Sequence, residues 1–198
     1  YATKTITTGE GGMLVTKDPK IAARASTMRL HGIDRDAFDR YTSDKPSWYY
    51  EIVAPGYKYN MTDIAASIGI HQLKKAYVFK DRRNQIAKAY LEGLKSLPIE
   101  LPLSYLNSGD NAWHLFQIRI KEEAPLSRDA FIIKMMEEGV GCSVHFIPLH
   151  MQPYYRNAYK LKDSYYPVAS KVFSQIVSLP IYTKMTDSDV SSVIEKIH

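Results

Sequence analysis

The chain has 198 residues, with 26 Lys plus Arg against 21 Asp plus Glu, 45% hydrophobic and 24% charged residues, 10 Gly, 10 Pro and one Cys. That composition excludes disordered, collagen-like and disulfide-stapled classes, and a chain of this length buries roughly 70% of its unfolded surface, enough for a core without staples. The net charge of +5 is spread along the chain in short clusters such as Lys74-Lys75 and Lys80 to Arg83, unlike the concentrated basic face that neutralises many phosphates together, so no nucleic-acid partner is expected.

The chain opens with a polar, Gly-rich segment and then Met13-Leu14-Val15-Thr16, whose β-branched apolar character predicts a strand or hairpin arm closing at Lys17-Asp18-Pro19. A helix is expected next, with Pro19 near its first position, Ile21, Ala22, Ala25 and Met28 at helical spacing, and His31-Gly32 as its stop. Residues 33 to 59 show neither period, and a loop that long is expected to be functional or to wrap a partner. Asn60 or Thr62 then caps a helix of roughly 35 residues, a rod of about 50 Å with break points near Lys80 to Asn84, stopped by the Pro98 to Pro102 segment.

The remainder reads as a smaller α/β unit. Trp113 to Ile120 alternates like a half-buried strand. Ser127 caps a helix that places Phe131, Ile132, Met135 and Met136 inside and ends at Gly139. Val140 to Ile147 is expected as a second strand, followed by helices around Ser164 to Gln175 and Thr186 to Ile197, the latter with Asp189 three residues beyond its cap. The corresponding division is 1–75 and 76–198.

Cys142 has no intrachain partner for a disulfide and reads as a small half-buried hydrophobe in a reducing compartment. No run of about 18 apolar residues exists and the first residues lack a secretion-signal layout, so no membrane partner is expected and the cytoplasm is the default location. No set of His, Cys, Asp or Glu has metal-site spacing, and no metal is expected. The 15 tyrosines suit a subunit interface and the core of the smaller unit as well as base stacking.

Gly9-Glu10-Gly11-Gly12 lacks the spacing of a phosphate loop. Close backbone approach in a turn is the alternative use of its glycines. Lys4 stands just before that turn. A lysine attacks an aldehyde only as the neutral amine, which requires desolvation or nearby positive charge to lower a pKa of about 10.4.

The string Ala2-Thr3-Lys4-Thr5-Ile6-Thr7-Thr8-Gly9-Glu10-Gly11-Gly12 resembles the cofactor-lysine segment of the DegT/StrS family of nucleotide-sugar aminotransferases. Further similarities follow in order at Arg29 to Gly32, Gly56 to Ile64, Trp113 to Phe116, Val144 to His150 with Gln152 to Tyr155, and Ser178 to Tyr182 with Met185 to Asp187. The resemblance implies the PLP-dependent transferase fold of type I, aspartate-aminotransferase-like. The chain would supply the C-terminal part of the large domain, a connecting helix and the small α/β domain. It also implies pyridoxal 5'-phosphate bound covalently at Lys4, which would then act as general acid and base. An amino acid, glutamate by expectation, would donate its amine to a keto carbon of a nucleotide-linked sugar. Relatives that remove a hydroxyl instead carry His where this chain has Lys4, so transamination is expected.

In the family an Asn-aromatic-Arg triplet reaches across a homodimer, the Asn to the cofactor phosphate and the Arg towards the nucleotide. Here the matching positions are Lys58-Tyr59-Asn60, a departure that keeps a point charge and an amide but loses the bidentate grip of Arg. Asn60 as a simple helix cap is the alternative. The resemblance places His145 and Phe146 against the sugar nucleotide, whereas His150 reads as structural. Dimerisation is expected through the 33 to 60 loop. The chain starts at Tyr1 without Met, and the resemblance implies further cofactor-holding parts before it, so that this chain alone would be inactive. The rival expectation is a non-catalytic binding or regulatory module that keeps the fold.

Overall fold

The computed structural model describes residues 1, 3–34, 46, 48–102 and 111–198. It divides into two compact units, Tyr1–Lys74 and Lys75–His198. The expected loop of 33 to 59 falls partly outside the described residues.

In the first unit, helix α1 spans Pro19–Met28, with Asp18 as N-cap accepting from the Lys20 N–H and a proline in the first turn. Proline costs nothing there because that N–H has no intrahelical acceptor. The helix stops three residues before the expected His31-Gly32, where Gly32 has φ +71°. The predicted strand at Met13-Leu14-Val15-Thr16 does not form. These residues have no regular structure, and Met13 and Val15 are 85% and 87% exposed. A β-favouring run needs a neighbour to pair with, and among the described residues it has none.

The chain around α1's end is held by main-chain bonds. Tyr57 N–H donates to Met28 O at 2.7 Å, His31 N–H to Tyr57 O at 2.8 Å and Tyr59 N–H to Arg29 O at 2.8 Å. Two glycines allow the approach. A Cβ on Gly32 would sit 1.9 Å from Ala54 O, and one on Gly56 would sit 2.0 Å from Gly32 N.

Helix α2, Asp63–Gly93, has 31 residues, about 46 Å at 1.5 Å per residue. Thr62 caps it, its hydroxyl accepting from the Ala65 N–H at 3.3 Å. The helix runs unbroken past Lys80 to Asn84, since that stretch contains neither Pro nor Gly.

The second unit is built on an antiparallel sheet of order β1-β2-β3, with β1 at Ile99–Glu100, β2 at Phe116–Ile120 and β3 at Ile176–Leu179. Phe116 pairs with Leu179 and Gln117 with Ser178. The expected alternation in β2 is present, with Phe116, Ile118 and Ile120 buried. Helix α3, Arg128–Glu137, is capped by Ser127 and buries Phe131 and Met135, whereas Met136 faces outward. The chain then turns at Gly139, φ +76°.

Val140 to Ile147 is not the strand that its apolar run suggests. Among the described residues its ladder pairing with the sheet is a single isolated bridge, between Ser143 and Ser178. The strand is instead the shorter Ile176–Leu179, which follows helix α5, Pro167–Gln175, without a turn signal. A short helix α4, Pro153–Tyr159, precedes it.

The last helix, α6, Asp187–Ile197, has a reciprocal capping box between Thr186 and Asp189. The core joins Ile86, Ala87 and Tyr90 of α2 to β2, β3, α3 and α6. Tyr90 packs on Phe116 at 5.0 Å between ring centroids, and its hydroxyl donates to Pro180 O at 2.8 Å. Arg83 is only 7% exposed. Its Nη1 donates to Trp113 O at 2.8 Å, Ile181 O at 3.0 Å and His114 O at 3.3 Å.

Candidate functional site

Lys4 lies in a turn, its N–H donating to Tyr1 O at 3.2 Å. Its Nζ sits 4.9 Å from the centroid of the Tyr1 ring. A hydrogen bond from Lys4, with a second from Thr3, holds the Tyr1 phenol below its ordinary pKa. The residues that follow fold on themselves. Thr8 Oγ1 donates to Glu10 O at 2.7 Å, Gly9 N–H to Thr7 Oγ1 at 3.1 Å, and Gly9 has φ +86°. Thr7 N–H reaches the Gln72 side chain of α2 at 3.3 Å. Gly9 serves a turn through its positive φ, with Lys4 at the head of that turn. The close backbone approach expected of these glycines is not present: a Cβ on Gly9 or Gly12 would meet nothing within 4 Å, and one on Gly11 would meet side-chain atoms of Thr8 and Met61.

The expectation of a desolvated amine is not met within this chain. Lys4 is exposed, although the Tyr1 ring lies over one side of its ammonium. An open cavity of about 1090 Å³ in the same unit is lined by residues such as Met13, Leu14, Arg29, Tyr57 and Met61. Lys4 is not among its lining residues.

The structure does bring Lys58 and Asn60 together. Lys58 Nζ donates to Asn60 Oδ1. A lysine ammonium can only donate, so the amide oxygen must face it, and the Asn60 amide nitrogen is left to donate elsewhere. Asn60 does not cap α2, a role that Thr62 takes. The stacked rings of Tyr57 and Tyr59, 4.9 Å apart, flank Lys58 in sequence.

His145 and Phe146 belong to the second unit. Phe146 is 71% exposed and stands edge-on to the His145 ring at 4.6 Å. His145 is half-buried and doubly held. Its Nδ1 lies 2.8 Å from Ser178 Oγ, and Gln117 Nε2 donates to its carbonyl at 3.1 Å. Neither partner stood out as functional in the sequence, although Ser178 lies within one of the family-like strings.

His150, by contrast, is buried beneath Tyr166, their rings stacked at 4.7 Å, with Nε2 3.1 Å from Ser170 Oγ. That is the structural role its position suggested. Cys142 is half-buried, and burial pushes its thiol pKa up to about 11. Among the described residues no group of His, Cys, Asp and Glu is placed to hold a metal, and no helix is long and apolar enough to cross a membrane.

The chain is 48% identical over its whole length to the "Uncharacterized protein MJ1066" of Methanocaldococcus jannaschii. It is 40% identical to the spore coat polysaccharide biosynthesis protein SpsC of Bacillus subtilis. It spans about half of each, 51%. A solved structure, the putative sugar aminotransferase Spr1654 of Streptococcus pneumoniae in its PMP form, superposes with a TM-score of 0.83 at 29% identity, covering 100% of this chain and 50% of that one. Its PLP form gives 0.81, covering 49% of that chain. These likenesses place the mixed α/β architecture in the PLP-dependent transferase fold of type I. The DegT/DnrJ/EryC1/StrS aminotransferase family model matches residues 1–198 without a break, and the chain belongs to that family.

Proposed function

We propose that this chain carries the reactive lysine and part of the substrate site of a PLP-dependent sugar aminotransferase. The amine would come from an amino acid, with glutamate as the expected donor, and pass to a keto carbon of a nucleotide-linked sugar. The observation that carries this reading is Lys4, a primary amine at the head of a Gly-rich turn, in a chain that matches an aminotransferase family from end to end.

The residues fit the cofactor. Lys4 offers the amine that an aldehyde requires, and Lys58 with Asn60, joined by the bond from the ammonium to the amide oxygen, offers ammonium and amide N–H donors suited to a phosphate dianion. When bound, pyridoxal 5'-phosphate supplies the aldehyde and the electron sink. Lys4 Nζ would act as general base and acid, moving a proton between the substrate carbon and the cofactor in one half-reaction and back to the acceptor carbon in the other. Lys58 Nζ and the Asn60 amide would hold the phosphate. His145 and Phe146 bind the nucleotide-linked sugar, the imidazole towards the diphosphate and the exposed ring along an apolar face. A homodimer through the 33 to 60 segment supplies cover over Lys4. Exposed Trp48, Ile52 and Val53 support that surface. The cytoplasm is the proposed location.

The test is absorbance of the full-length protein, with and without Lys4→Ala, before and after borohydride. The wild type holds a reducible, covalently bound cofactor and forms an amino sugar from glutamate and a nucleotide-linked keto-sugar. An unchanged cofactor band in the variant removes Lys4 from the reaction.

A further inference from the structure

The hydrogen bonds around His145 account for its ring in a way that the family likeness does not. Ser178 sits in the middle of β3 and is 4% exposed. Its main chain is committed, its N–H donating to Ser143 O at 2.7 Å and its carbonyl accepting from the Ser143 N–H at 3.1 Å. Its hydroxyl has one neighbour able to accept a hydrogen bond among the described residues, His145 Nδ1 at 2.8 Å. A buried hydroxyl proton without an acceptor carries the full cost of desolvation. The arrangement that avoids this has Ser178 Oγ–H donating to Nδ1. An imidazole that accepts at Nδ1 bears its proton at Nε2. The Nε2 of His145 makes no hydrogen bond among the described residues, and the residue is half-buried. Gln117, paired with Ser178 across the sheet, holds the His145 carbonyl and so fixes the stem of the same residue.

We infer that Ser178 is a positioning residue, whose hydroxyl sets the His145 tautomer and presents Nε2–H outward as an uncharged donor to an anionic oxygen of the substrate. Its use towards substrate rests on the reading of His145 given above. The tautomer itself does not.

The experiment uses full-length protein with ¹⁵N-labelled histidine, His145 being assigned by the signal lost in His145→Ala. At neutral pH the wild type shows the Nε2–H form. Ser178→Ala shifts the ring to a mixture, and Ser178→Thr, which keeps the hydroxyl on a strand-favouring side chain, restores the wild-type spectrum. Calorimetry with UDP and dTDP as probes then gives a Kd about five-fold weaker in Ser178→Ala, the scale of one neutral hydrogen bond, and unchanged in Ser178→Thr. An Nδ1–H ring in the wild type, or an unaltered ring in Ser178→Ala, overturns the inference about Ser178 and leaves the reading of His145 standing. If neither nucleotide binds the wild type, or His145→Ala binds them as tightly as the wild type does, the diphosphate contact fails while the tautomer result stands.

Discussion

Replacing Arg83 by Met tests whether a buried cation organises the small unit. Its Nη1 carries two hydrogens and serves Trp113 O at 2.8 Å and Ile181 O at 3.0 Å, with His114 O more distant at 3.3 Å. Two charge-assisted bonds at about 1.5–3 kcal/mol each make a gross loss of roughly 3–6 kcal/mol. Against this, Arg83 Nε is buried without a hydrogen-bond partner, and removing it recovers about 1–3 kcal/mol. Burial also lowers the guanidinium pKa, a sign of the desolvation that the charge bears. Methionine keeps the stem volume, so the net loss is about 2.5 kcal/mol, or nearly seventy-fold in an opening equilibrium. Hydrogen exchange of the Phe116–Ile120 amides in the full-length protein reads it directly. Exchange quickens by about seventy-fold in Arg83→Met, and Arg83→Lys recovers only part of the protection because an ammonium lacks the planar fork. A change below about five-fold, or full protection in Arg83→Lys, would refute the reasoning.

The thiol of Cys142, raised from 9.0 to about 11, has about a hundredth of the thiolate of an ordinary cysteine at pH 8. Disulfide-exchange reagents should therefore label it slowly in the native protein and fast in denaturant, and rapid native labelling would contradict its burial. Thr186→Ala removes the hydroxyl that accepts from the Asp189 N–H, and helix α6 should lose about 1 kcal/mol, seen as faster exchange in its first turn. The Thr186 backbone N–H and then its hydroxyl hold the Asp189 carboxyl below its ordinary value of 3.8. The stabilisation is thus complete above that value and disappears as pH falls through the lower folded-state value. The Thr186→Ala effect should shrink at the acid end of a pH series, and a constant effect would exclude the ionised carboxylate from the cap.

Much of the helical frame was legible because its signals are local. Asp18 before Pro19, Thr62 before α2, Ser127 before α3 and Thr186 with Asp189 each fix a start within a few residues of chain. The strand β2 was legible from alternation over five residues. Strand β3 was not, since Ile176–Leu179 is four residues long and continues directly from α5, while the longer apolar run of Val140 to Ile147 looked the better strand and has no line of partners beyond Ser143. Met13 to Val15 failed for the same reason: residue preference proposes a strand, and pairing decides it. At the site, residue type and family likeness singled out Lys4, Lys58, Asn60, His145 and Phe146 one at a time. The Lys58–Asn60 bond lies two residues apart and was within reach of sequence reasoning. The Ser178 and Gln117 contacts to His145 span 33 and 28 residues, and only the sheet register creates them.

The main-chain clasp at the end of α1 separates where a side chain stands from what it is. Because Gly32 and Gly56 meet backbone to backbone, and Tyr57 and Tyr59 are tied through their amides to Met28 and Arg29, residues 57 to 60 keep their path whatever head groups they carry. Evolution can therefore exchange the chemistry at Lys58 and Asn60, a guanidinium for an ammonium or one amide for another, as interchangeable fittings on a fixed rail. On the proposed reading of Lys58 and Asn60, ligand preference drifts without renegotiating the fold.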